Sequence, residues 1–148
     1  MDIYSLLLHI HSGLRWLVLF FILAVIIGSA YRLATKSGSG KCCQVMNRFA
    51  LTFTHLQFLL GLVMYFISPK VVFDASSMKD SLLRFFLVEH IGLMVIAIAL
   101  ITIGYFRAKQ SSDDLKRHKT LIIYYSIALL LVLAAIPWPF RGLGAGWF

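Results

Sequence analysis

Four stretches of this chain are apolar for the length of a membrane crossing, at roughly residues 12–31, 49–68, 85–106 and 119–138. They contain WLVLFFILAVII, LLGLVMYFIS, IGLMVIAIALITIGYF and LIIYYSIALLLVLAAIPW. A hydrocarbon layer about 30 Å thick is spanned by about 20 helical residues. No water reaches the backbone there, so each stretch must satisfy its own amides and carbonyls, as an α-helix does. The remaining residues agree with this reading. The 148 residues are 60% hydrophobic and 14% charged, against about 45–50% and about 25% in a soluble domain. The expected architecture is all-α: one transmembrane domain over residues 1–148, an up-down four-helix bundle.

Polar breaks separate the spans: KSGSGK, SPKVVFDASSMKD and KQSSDDLKRHK. Ser112, ahead of two aspartates, reads as the N-cap of the fourth helix, and Pro137 and Pro139 stop that helix. The opening MDIYSLLLH lacks the basic start and cleavage site of a signal peptide, so the first span is expected to be retained. The net charge of +8 lies between oily segments and not on a soluble basic face, which argues against nucleic acid. Residues 32–48 carry Arg32, Lys36, Lys41 and Arg48, and residues 107–119 carry Arg107, Lys109, Lys116, Arg117 and Lys119. The opposite ends carry Lys70, Lys79, Arg84 and Arg141. Because cytoplasmic loops concentrate Lys and Arg, both termini are expected outside the cytoplasm. Adjacent Cys42 and Cys43 have neither disulfide geometry nor metal-site spacing, and read as inert thiols or lipidation sites.

The histidines stand at telling depths. His9 and His11 lie at the outer end of span one and His90 about 8 Å inside the outer end of span three. His55 lies about 9 Å inside the inner end of span two, and His118 at the inner mouth of span four. Spans one and three, and two and four, are the diagonal pairs of an up-down bundle. Six-coordinate haem iron takes two axial ligands on opposite faces of a flat ring. Two haems, or one, are therefore expected: His11 with His90 outside (His9 substituting for His11), and His55 with His118 inside. The inner pair is mismatched by about 9 Å, a gap that narrows if span four begins near Asp113. His55 and His90 differ by about 13 Å and cannot share a ring. Gly13, Gly61 and Gly92 lie near these histidines and would let a ring approach the backbone. For each histidine the competing reading is a hydrogen-bonded packing or interfacial residue.

Arg15 follows His11 by one helical turn and shares its face. It would hold a haem propionate or pair with Glu89. Met94 reads as core, Trp16, Trp138 and Trp147 as an interfacial belt, and Tyr124 and Tyr125 as bundle lining. There is no nucleophile–base pair, no phosphate loop and no carboxylate pair for hydrolysis.

The motifs HSGLRW, HLQFLLGL, RFFLVEH and IPWPF run over nearly the whole chain. In them the chain resembles a family of small bacterial four-helix inner-membrane proteins labelled cytochrome B. It is more loosely similar to one four-helix half of haem A synthase. The resemblance implies b-type haem, electron transfer, and His11, His55, His90 and His118 as ligands. It supplies no donor or acceptor; a quinone or another redox partner would serve, with lipid around the bundle. The competing functions are a haem-free structural subunit of a larger complex or homo-oligomer, and a haem-modifying or quinol-oxidising enzyme.

Overall fold

The computed structural model describes residues 2–38 and 40–147. Its four long helices are α1 (Ile3–Ala34), α2 (Lys41–Ile67), α3 (Ser81–Gln110) and α4 (Asp114–Ala135), each long and apolar enough to cross a membrane. Two 3-10 turns, Ala75–Met78 and Pro139–Arg141, lie between α2 and α3 and after α4. Among the described residues there is no strand. Helix α1 packs on α2 and α4, and α3 packs on α4 and α2. The cyclic order therefore follows the chain, and α1–α3 and α2–α4 are the diagonals.

The helices outrun the apolar stretches at their polar ends. Helix α1 begins at Ile3, where Asp2 Oδ1 accepts the Ser5 amide at 2.7 Å, and α2 begins at Lys41. Apolarity marks what lies in hydrocarbon, while helical hydrogen bonding continues through the headgroup layer. Helix α4 does start early, but Asp113 is its cap: Asp113 Oδ1 accepts the Leu115 amide at 2.9 Å. Ser112 does not cap it. Ser111 ends α3 and its hydroxyl bonds the Asp113 carbonyl at 2.9 Å, which leaves the acidic side chain to take the orphan amide.

Inside the bundle Ile22, Ala97, Ile101, Tyr125 and Ala128 are fully buried. The tightest helix contact is between α3 and α4, at Gly104. A Cβ there would lie 2.6 Å from Tyr124 Cβ and 3.5 Å from the Tyr125 ring. With lipid outside, helices associate by close packing, and small residues permit it. Gly104→Ala should force α3 from α4 and lower the thermal midpoint in detergent, by an overpacking cost of about 1–3 kcal/mol. Gly92, with nothing within 4 Å of an added Cβ, should accept alanine with an unchanged or higher midpoint.

Candidate functional site

The geometry of the site begins with two prolines. A helix carbonyl normally bonds the amide four residues on. For Leu133 and Ala135 those positions are Pro137 and Pro139, which have no N–H. Side chains take the freed carbonyls. Trp138 Nε1 donates to Leu133 O at 2.9 Å, and His90 Nδ1 donates to Ala135 O at 2.7 Å. Arg141 Nη1 reaches Ala134 O at 2.7 Å and Ile136 O at 3.2 Å. The bond to Ala135 fixes the His90 ring across the α3–α4 interface and leaves Nε2 as its lone-pair nitrogen.

A π-helical turn, Phe85–Glu89, immediately precedes His90, whose amide bonds Phe85 O. The extra residue rotates the remainder of α3 about its axis relative to a regular helix. Arg84 Nε bridges the turn to Glu89 Oε1 at 2.8 Å. Glu89 is thereby engaged, and the Arg15–Glu89 pair expected as one alternative is not formed.

His90 faces a cleft of about 1360 Å³, its open mouth included. His11, Arg15, Gln57, Gly61, Lys70 and Met94 also line it. Its walls include Phe58, Ile91, Ile98 and Val132, and no lining residue is a carboxylate. Gly61 is where His11 fits: an added Cβ would stand 3.0 Å from His11 Cε1. At Gly13 and Gly92 an added Cβ would meet nothing within 4 Å. Gln57 Nε2 donates to His11 O at 2.9 Å. Three buried polar atoms on this cleft, His11 Nδ1, Arg15 Nε and Gln57 Oε1, have no partner among the described residues. His9 is exposed and lies two residues from His11, on a different face of α1.

Arg15 is 8% exposed. Its Nη2 donates to Trp147 O at 2.7 Å, and its guanidinium lies 5.3 and 5.7 Å from the Trp16 and Trp138 ring centroids. Trp16, Trp138 and Trp147 cluster with ring centroids 6.0–6.4 Å apart, so they gather beside Arg15 and are more than a dispersed belt. Lys70 Nζ bonds Gly144 O at 2.6 Å and Leu143 O at 3.3 Å. Burial pulls its ammonium below the ordinary lysine range. Among the described residues neither cation has a carboxylate partner.

The inner histidines are not brought together. Tyr125 of α4 donates to Asn47 Oδ1 of α2 at 2.5 Å across the core. The two helices run parallel, His55 lying eight residues above Asn47 and His118 seven below Tyr125. His55 meets Thr102 of α3, and Gly104, two residues farther along α3, packs on Tyr124, six residues above His118, so the two histidines stand at least about 9 Å apart along the bundle. One flat ring cannot join them, and the inner ligand pair expected from sequence is corrected on this ground. His55 lies mid-bundle, because α2 begins at Lys41, not near residue 49. Its Nδ1 donates to Leu51 O at 2.8 Å, and Nε2 is 3.4 Å from Thr102 Oγ1. His118 is fully buried, both ring nitrogens without a partner among the described residues, and is not the wetted edge residue that KRHK suggests.

Comparison with protein-family models, with curated proteins and with solved structures finds no match. Sequence reading missed Gln57, Lys70 and the π turn. The carbonyls freed by Pro137 and Pro139 were legible from the spacing alone. Pro139→Ala restores an amide that competes for Ala135 O. In protein labelled with ¹⁵N-histidine, it should shift the His90 Nδ1 resonance toward that of a more weakly bonded imidazole, leaving His55 unchanged. Tyr125→Phe, which strips Asn47 of its donor, should cost about 1–3 kcal/mol of stability, read as a fall in thermal midpoint.

Proposed function

We propose that this is a b-type cytochrome of the bacterial cytoplasmic membrane, holding one haem between His11 and His90. The observation that carries this reading is the coincidence on one apolar-walled cleft of two histidines and three buried polar atoms without partners. Buried polar groups normally find partners, and a ligand would supply them here. The apolar walls suit a flat macrocycle, and the two cations with no carboxylate among the described lining residues suit its anionic edge.

Each residue has a definite part. His90 presents Nε2 as a ligand, and its Nδ1–H bond to Ala135 O sets ring orientation and raises basicity, as second-shell acceptors do for metal-bound imidazole. His11, its ring seated against Gly61, would be the second histidine to hold the group. Gln57 Oε1 is available to accept from His11 Nδ1 once that ring turns to ligate. Arg15 and Lys70 are placed to bind carboxylates at the mouth, where charge-assisted bonds would replace those to backbone carbonyls. Bound in this cleft, the haem would supply one-electron exchange. The chain orients the group, excludes water and biases its potential. The exchange partner is a quinone or a second membrane protein. The Lys/Arg-rich ends of the helices face the cytoplasm by the positive-inside rule, which leaves the cleft toward the other side.

A pyridine haemochrome assay against protein concentration tests this. One haem per chain is expected, lost in His11→Ala and His90→Ala and retained in His55→Ala and His118→Ala. A chain without Soret absorption after haem-replete expression would overturn the reading. In the haem-loaded protein Arg15→Gln should lower the midpoint potential, since a nearby positive charge favours the reduced form.

A further inference from the structure

A second pocket lies at the opposite end of the bundle and has a different character. It encloses about 600 Å³, its open mouth included, and is lined by Gln44, Asn47 and Arg48 of α2 and Tyr105 and Lys109 of α3. The α2 residues are spaced i, i+3, i+4 and the α3 pair i, i+4, so each set occupies one helix face. These faces meet where α2 and α3 pack.

Every lining side chain has a proton to donate, and none is acidic. Asn47 Oδ1 already accepts the Tyr125 hydroxyl, which leaves its N–H groups for the pocket. Arg48 and Lys109 form no ion pair among the described residues. Gln44 is three residues from the start of α2 and Lys109 one from the end of α3. The pocket therefore sits within about two helical turns of the helix ends, at the depth of lipid headgroups. Basic pockets between membrane helices at that depth suit anionic headgroups.

We infer that this pocket binds a phosphate group, that of an anionic phospholipid seated between α2 and α3. Arg48 and Lys109 neutralise the phosphate, while Asn47, Gln44 and Tyr105 direct hydrogen bonds to its oxygens. The site is independent of any ligand in the cleft at the other end.

Thermal unfolding of the purified full chain in detergent micelles, titrated with phosphatidylglycerol, phosphatidylcholine or inorganic phosphate, provides the test. Phosphatidylglycerol should raise the midpoint and phosphatidylcholine should not. The double variant Arg48→Gln/Lys109→Gln should need about tenfold more phosphatidylglycerol for the same rise, the loss of about 1.4 kcal/mol of binding. Both residues are exposed, so that variant should match the native midpoint without lipid. Lys36→Gln/Lys116→Gln, which removes two exposed cations at the same end but outside the pocket, should respond as the native chain does. An equal response from the Arg48/Lys109 variant, or equal protection by phosphatidylcholine, would overturn the site. Full protection by inorganic phosphate alone would overturn the lipid as its source and assign the pocket to free phosphate.

Discussion

The cleft depends on one carbonyl that its own helix cannot satisfy. Pro139 denies Ala135 O its amide, and His90 Nδ1 takes the place at 2.7 Å. In hydrocarbon an unsatisfied carbonyl costs several kcal/mol, so the bond is compulsory in a way that it would not be in water. It settles several features together: the end of α4, the seating of α3 against it, and which nitrogen of His90 faces the cleft. The π turn before His90 belongs to the same arrangement, since it sets the rotation at which the ring meets the carbonyl.

The bundle is divided along its length by the polar pair on the other diagonal. Tyr125 and Asn47 meet across the core and close it. Above them the interior opens into the cleft; below them Ala108 and Leu121 are buried and His118 has no exposure at all. His55 is accommodated by a backbone carbonyl of its own helix and a threonine of the next, the usual way in which membrane helices bury a lone polar residue. His118 has no such accommodation, and nothing in the structure accounts for its burial.

Charge at the mouth of the cleft is held in an unusual manner. Arg15 and Lys70 are bonded to backbone carbonyls of the segment after α4, and aromatic faces cover what the carbonyls do not. Carbonyls and ring faces relieve part of a cation's desolvation without neutralising it. Among the described residues neither cation is neutralised by a carboxylate, so both favour an anion in the cleft. At the far end Arg48 and Lys109 likewise lack ion-pair partners among the described residues, but are exposed at headgroup depth.

The number of helices, their all-α class and the up-down order were legible in the sequence, because hydrocarbon imposes both the length and the internal hydrogen bonding of anything that crosses it. The diagonal placement of His11 and His90 was legible too, since helix order and residue depth follow from spacing. Rotation about each helix axis was not. Near-uniform apolarity conceals which face looks inward, so sequence could not separate His11 from His9 or show that His118 is buried. The helix starts were hidden for a related reason: apolar runs end at the hydrocarbon boundary while the helices continue, and α2 began far enough before its oily stretch to carry His55 to mid-bundle. Tertiary structure alone decided that His55 and His118 stand well apart along the bundle, because the His55–Thr102 and Gly104–Tyr124 contacts relate the heights of α2 and α4 through α3. No local pattern in either helix records that height.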